Sequence, residues 1–547
     1  MRRITKHLSL LLLATALAAC GGGGGGYGSN PPPASSITVA GTGVKGAALA
    51  GATVNVKCAS GNATATTASS GAYSVTITGG SLPCVIKLTG AGGEVFHSVV
   101  PGTGASGTFT ANVTPLTEMV VAHLAGTAPD AYFTAFGSSA SVSSAALAQS
   151  IAYVKSAIAS VTDLGSMNPV TDALAVGDAL DQEIDAVVAA LSAAGVTLQS
   201  VTAAIVANPS APAVVAGPIA AAASDCPWMK SGRYLMLELY ETEAATAVIN
   251  AGTLSGIGPD GLPFVMTPDG DCQYTIDEPA WSTRLIASSS GVLLAFGQSK
   301  TVATDRTVVI ALPEQVLPLS ELAGTWSAAS WEPVSGSTTQ FVARMAEITF
   351  DATGQVTALL NCVGLAPCVP RSPPLSRFVV NSTIGGFDEI LPGGARFSRM
   401  FGFKTLAGRA VLVVMTPELQ YIVATRKQPI PLPAVGALTR YRQAQANGDR
   451  TIDDLVNDSI TVNSTDTTAK TATRSRGSDG RVDTLFYDKP RDGLRHRVAN
   501  SCTTNLGAPA NCAEVVNLQM QGMGFRIATS TGSNPANTFF NIQFNKP

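Results

Sequence analysis

Charge is scarce in this chain. Asp, Glu, Lys and Arg together make up 13% of its 547 residues, about half the share of an average soluble protein. The net charge is −3 at pH 7. There is no excess of Lys and Arg to match a phosphate backbone, which excludes a nucleic-acid partner. Histidine is scarcer still. His7, His97, His123 and His496 are all there are, and none sits in an HxxE or HExxH frame, which excludes a zinc peptidase. No CxxC offers a zinc or redox pair, and no GxSxG or SxxK offers a serine nucleophile. No cofactor is expected. Aromatic residues are few, at 6%. Gly, Ala, Ser and Thr fill the gap, giving the uncharged polar surface common in exported β-rich proteins.

Long apolar runs are also few. One covers Leu8 to Leu17, too short to span a membrane comfortably, and it follows Arg2, Arg3 and Lys6 as the h-region of a signal peptide follows its n-region. The other, residues 203–224, is interrupted by Pro209, Pro212 and Pro218 and reads as a linker or helix end. After the first run comes Leu17-Ala18-Ala19-Cys20, which resembles the lipobox of bacterial lipoproteins at every position. The resemblance implies removal of residues 1–19, a diacylglycerol on the Cys20 sulfur and a further acyl chain on its amine. Several chains together anchor stably where one does not. No aspartate follows Cys20, which by the same resemblance implies the outer membrane, periplasmic or surface-facing. The alternative is an ordinary secretory signal with an incidental cysteine. Residues 20–36, with Gly21–Gly26 and Pro31–Pro33, form a flexible tether with a stiffer end.

Eight cysteines remain beyond Cys20, an even number in an exported chain, and they read as disulfides. Sequential pairing is expected: Cys58 with Cys84, Cys226 with Cys272, Cys362 with Cys368, Cys502 with Cys512. Cys58 is in phase with Val54 and Val56, and Cys84 with Ile86 and Leu88, so both sulfurs should enter one core.

The chain reads as multidomain and mainly β. Residues 37–113 alternate as short strands, with Tyr73, Val75 and Ile77 following a Ser-Gly turn. On Gly51-Ala52-Thr53-Val54 and Gly71-Ala72-Tyr73, this stretch resembles the carboxypeptidase-regulatory-like, or transthyretin-like, β-sandwich. The resemblance implies an accessory module with no catalytic residues. Residues 114–224 read as a helical spacer. Thr114-Pro115 is an N-cap with proline at the first position, and Gly126 is a stop. Leu180, Ile184, Val187, Val188 and Leu191 share one face of a second helix, with Asp178, Asp181 and Glu183 near its N-terminal end and Gly195 as its cap. Residues 225–547 return to strands as three β-modules, 225–318, 319–431 and 432–547, sandwich- or barrel-like. Related openings at 231–239, 323–331 and 435–443 are answered by related closings at 306–315, 419–428 and 538–547. Gly324-Thr325-Trp326 resembles the GxW of the first lipocalin strand, which implies a small barrel holding either an apolar cavity or a solid core.

Candidate chemistry is thin. Asp269 and Asp271, with Asp277 and Glu278 nearby, offer oxygens to calcium, but Pro-Asp-Gly is also a plain turn, and no other metal ligand set is visible. Lys489, Arg491, Arg495 and Arg497, with His496 among them, form a basic patch suited to an anionic glycan or headgroup. Asp488 and Asp492 are interleaved, which also fits a self-paired surface hairpin. No catalytic residue is assigned. The sequence therefore supports a lipid-anchored envelope protein with a binding, adhesion or structural role. Its partners would be the membrane, through the lipid, and a glycan, protein or lipid on the C-terminal modules. A carrier of small apolar ligands and a hydrolase with an unrecognised site are the alternatives.

Overall fold

The computed structural model describes residues 35–194, 196–362, 367–371, 375–381, 385–532 and 534–547. The lipobox, Cys20 and most of the tether lie outside the described residues, as does Gly195. A two-sheet sandwich comes first. A three-stranded sheet of Ala72–Thr78, Ser36–Thr42 and Gly107–Thr110 faces a four-stranded sheet of Asn62–Thr66, Thr53–Ser60, Ser81–Thr89 and Val95–Val100. The alternation dictates the layering: Val54, Val56, Tyr73, Val75 and Ile77 all turn into one buried core. Cys58 stands directly opposite Cys84 in the register, and the two form a disulfide inside that core.

The helices cover the outer side of the four-stranded sheet, where Val85 and Val99 join the helical core. Thr114 caps helix Pro115–Ala125 by accepting from the Thr117 amide at 3.2 Å, and Gly126, at φ +60°, ends it. Ser143, Asp178 and Thr197 cap helices Ser144–Ile158, Ala179–Ala193 and Leu198–Ala207 in the same way. Leu180, Ile184, Val187 and Leu191 are buried on the expected face. Glu118 ties helix to sheet, because its Oε2 accepts from the His97 backbone amide at 2.6 Å and lies 2.8 Å from His97 Nδ1. Residues 203–224 depart from the linker reading. The helix does end at Ala207, but Ala213–Ile219 forms another short helix despite Pro218. Burial overrides propensity here: Val215 and Ile219 enter the helical core, and Val214 packs into the second barrel. Among the described residues, no single helix is long and apolar enough to cross a membrane.

The C-terminal region is three antiparallel up-and-down barrels. In the first, Gly232–Glu238 pairs with the last strand, Arg306–Pro313. The two ends of this sheet, Pro263–Val265 and Thr267–Gly270, are one bent strand broken only at buried Met266. The second repeats the plan. Gly324–Pro333 pairs with Tyr421–Arg426, and the split strand is Val369–Pro370 and Arg377–Val380, rejoined by a bridge between Gln355 and Arg377. In the third, Leu438–Asn447 pairs with Phe539–Asn545, and Thr471–Arg476 pairs with Val482–Tyr487 to complete the ring. Each opening read from the sequence is thus a first strand, each closing a last strand, and in every module the two hydrogen-bond to each other. Closure pairs the first strand of each barrel with its last and so covers the edges that an open sheet would expose there.

The barrels are not beads on a string. Leu235, Leu237 and Ile310 of the first, Trp331, Phe341 and Val413 of the second, and Leu518, Phe540 and Phe544 of the third meet in one core. Trp331 stacks on Phe341 with ring centroids 5.8 Å apart, and Tyr421 Oη donates to the Leu237 carbonyl at 2.9 Å. The helical region docks on the second barrel through Lys404, which donates to Asn208 at 2.7 Å and pairs with Glu321 at 2.8 Å.

Candidate functional site

The three barrel interiors differ. The first is filled by Tyr234, Ile249, Met266, Tyr274, Leu285 and Leu293, with Cys226 and Met229 inserted from the preceding strand Cys226–Lys230. The Cys226–Cys272 disulfide fixes that insertion. The second is filled by Trp326, Phe350, Phe378, Phe387, Met400 and Leu412, and Leu317 and Leu322 from the short 3-10 turn Leu319–Leu322 and its approach pack against them. Trp326 Nε1 donates to the Leu322 carbonyl at 2.7 Å. Arg426 lies 4.8 Å over the Trp326 ring, and its two terminal nitrogens donate to the carbonyls of Ala323 and Glu321. Gly324-Thr325-Trp326 therefore opens the first strand of a barrel with a solid interior.

The third barrel is inverted. Its apolar strand faces, such as Phe540, Ile542 and Phe544, point outward into the core shared with the other barrels. The opposite faces put Gln443, Gln445, Asn517, Asn541 and Gln543 inside. They wall a cavity of about 230 Å³ together with Tyr441, Arg474, Asp483, Arg497 and Arg526. One end is packed by Ile430, Val462, Leu485 and Tyr487. At the other, Arg481, Ala513 and Phe539 are shared with a broad surface concavity, beside the Cys502–Cys512 disulfide that clips strands Cys502–Thr503 and Pro509–Ala510.

Charge inside this barrel is unbalanced. Asp483 takes Arg474 at 2.6 and 3.0 Å and Arg497 at 2.9 Å. Burial alone would raise the Asp483 carboxyl, but the two guanidiniums more than offset it and hold it well below the usual range. Arg526 donates its Nε to Gln543 Oε1 and lies 5.0 Å over the Tyr441 ring. Among the described residues its two terminal nitrogens have no acceptor. Burial first, then the positive charges of Arg495 and Arg474, lowers Arg526 to about 9. Arg495 lies beside the cavity, 5.6 Å over Tyr487, with Nε and Nη2 buried and unpaired.

The basic patch read from the sequence is therefore split by the strand period. Arg495 and Arg497 face inward from strand Leu494–Arg497, whereas His496 points out to Glu514 at 3.2 Å. Arg491 lies between barrels, 3.3 Å from Glu347. Lys489 sits over the Phe486 ring. A self-paired surface hairpin does not describe these residues, because the arginines at 495 and 497 are drawn inside by the pleat. The calcium candidates are also engaged. Asp269 accepts from Gln273 and Thr275, and Asp271 pairs with Lys546 at 2.7 Å and Arg442 at 3.8 Å. Among the described residues, no group of three or more His, Cys, Asp or Glu could hold a metal ion. Cys362 and Cys368 form the remaining disulfide. His123 Nδ1 meets Ser150 at 2.9 Å and Nε2 meets the Pro209 carbonyl at 3.0 Å, with the ring against Tyr153.

The polar interior went unread in the sequence. Its signal is there: Gln443 and Gln445 alternate with Ala444 and Ala446, and Asn541 and Gln543 with Phe540, Ile542 and Phe544. Arg474, Asp483 and Arg526 come from three separate strands, and no local motif joins them.

No family model and no curated protein matches the chain. Among solved structures, one of unknown function from the DUF3598 family of Nostoc punctiforme PCC 73102 is similar at 12% identity. The match covers 42% of this chain and 98% of that one, with a TM-score of 0.16. The isotype 1 transferrin binding protein B from serogroup B Neisseria meningitidis is similar at 10% identity, covering 56% and 58%, with a TM-score of 0.19. Both likenesses are weak.

Proposed function

We propose that this is a lipid-anchored protein of the outer membrane with a non-catalytic binding role, and that its ligand site is the interior of the third barrel. One observation carries the reading. Two barrels of the same plan are packed solid, while the third keeps an open polar cavity at the cost of burying amides and guanidiniums. An interior of this kind is retained for a ligand more readily than for stability, because an apolar core of the same volume is the more stable choice. The same polarity argues against carriage of apolar ligands. Hydrolysis gains no support either. His97, His123 and His496 are each engaged by neighbours outside the cavity wall. The anchor follows from the Leu17–Cys20 motif.

The site is tested by filling it. Ala528 lines the cavity and is buried, so Ala528→Leu should abolish the thermal shift given by any polar small molecule found in a screen of the full chain. Retention of that shift would move the site elsewhere. Protease digestion of the barrels on intact cells, against permeabilised cells, decides between the surface and the periplasm.

A further inference from the structure

Inside the third barrel, the guanidiniums of Arg495, Arg497 and Arg526 are buried, and that of Arg474 nearly so, with Asp483 as the carboxylate among them; Arg476, also on the cavity wall, has its own partner in Asp458. Each unpaired buried charge costs several kcal/mol. Asp483 pairs with both arginines that touch it, Arg474 and Arg497, but offsets only one of their two charges, and it leaves Arg526 and Arg495 without an anion. Arg526 is 6% exposed and lines the cavity, and its Nη1 and Nη2 have no protein acceptor among the described residues. Arg495 keeps two orphaned donors beside it. Arg481 at the mouth has no acidic partner among the described residues either. The Arg526 guanidinium, 5.0 Å over the Tyr441 ring, keeps its two terminal nitrogens as a fork of parallel N–H groups, the geometry that a planar carboxylate meets with two oxygens.

The rest of the wall is uncharged and hydrogen-bonding. Gln443 accepts from Gln543 and has its own amide NH2 to spare, Asn517 makes no side-chain bond among the described residues, and Asn541 Oδ1 accepts nothing. Such amides suit hydroxyl groups, which both donate and accept. The volume of about 230 Å³ is that of about eight waters, room for a hexuronate and too little for a lipid chain.

We propose that the third barrel binds a small hydroxylated carboxylic acid of the sugar-acid class, its carboxylate on Arg526 and its hydroxyls on Gln443, Asn517 and Asn541. This rests on the cavity being the binding site. Titration calorimetry of the full chain in detergent tests it with three probes at fixed ionic strength: glucuronate, its neutral counterpart glucose, and inorganic sulfate. Glucuronate should bind, glucose at least about tenfold more weakly, and sulfate between them, since it fills the fork but not the amide wall. Arg526→Gln should cost glucuronate about tenfold, the loss of one charge-assisted pair. Its unfolding midpoint without ligand should stay at or above that of the parent chain, which shows that it folds. Equal binding of glucose and glucuronate, unchanged in Arg526→Gln, would overturn the acid while leaving the cavity a binding site. Sulfate binding as tightly as glucuronate would overturn the hydroxyl contacts. No binding of any probe, with no bromide beside Arg526 in a soaked crystal, would overturn both the acid and the site.

Discussion

In the second barrel Trp326 turns inward from the first strand, and an arginine, Arg426, lies over its ring. In the third barrel Tyr441 is likewise on the first strand, with Arg526 over its ring. The two arginines then part company. Arg426 spends both terminal nitrogens on the carbonyls of Ala323 and Glu321, which belong to a turn and its end that pack against the barrel. Among the described residues no such turn reaches Arg526, and its two terminal nitrogens have no protein acceptor. One arrangement of strand, ring and guanidinium therefore seals one barrel and arms the other. The two differ in where the arginine comes from, Arg426 directly opposite Trp326 on the last strand and Arg526 one strand further round, and in whether a neighbouring piece of chain supplies the acceptors.

That comparison can be broken most forcefully at the ring of the second barrel and the arginine of the third. Trp326→Ala removes a fully buried side chain from a solid core and should lower stability by about 3–5 kcal/mol, read as a loss of unfolding midpoint in scanning calorimetry. Arg526→Met in the unliganded chain should be neutral or stabilising, because it removes an uncompensated buried charge. A loss from Arg526→Met as large as that from Trp326→Ala would mean that the third interior is a structural network after all. Asp483→Asn comes next. It leaves Arg474 and Arg497 facing each other unpaired and should cost about 3 kcal/mol. The folded-state carboxyl of Asp483 lies below its ordinary value, so its contribution is complete above about pH 4 and is lost only as pH falls further, through the folded pKa. Acid denaturation of the parent chain and the variant should therefore converge at the acid end and separate toward neutrality.

Smaller effects sharpen the first barrel's place in the series. Glu238 follows Tyr234 and Met236 on one strand face, and burial, then Glu241, raises it from 4.5 to about 7. A raised carboxyl means that the folded state holds the proton through this window. Stability should therefore fall as pH rises from about 4.5 to about 7. Glu238→Gln should flatten that slope and gain about 1 kcal/mol at pH 8, less than the whole shift because the side chain stays partly solvated. Least of all, Asp271→Asn removes ion pairs of a half-exposed carboxylate and should cost less than about 1 kcal/mol. Millimolar calcium should leave the unfolding midpoint unchanged, since Lys546 and Arg442 already occupy that charge.

Much of the architecture was legible because it is local. Thr114-Pro115 and Gly126 bound a helix by capping chemistry alone, and Val54, Val56 and Cys58 announce their face by a period of two. The Cys pairs could be matched because each lies within one module. The site was not legible, for two physical reasons. The alternation of the third module says that one face is apolar, but not that this face points away from the barrel axis, a choice made by the neighbouring barrels that bury Phe540, Ile542 and Phe544. And the basic run at 489–497 reads as one patch until the pleat sends Arg495 and Arg497 one way and His496 the other.

The pairing of first strand with last has a consequence in time. In the third barrel Tyr441 finds its partner in Asn545, so almost the whole module must be present before the ring can shut. Contacts so distant in sequence form slowly, and until they form, both strands present bare edges to anything nearby. A chain delivered across a membrane end to end would pass through that open stage three times. The arginine-lined chamber comes into existence only at the last closure, so a ligand that fits it would act as a latch on newly arrived chains, holding the final strand in place.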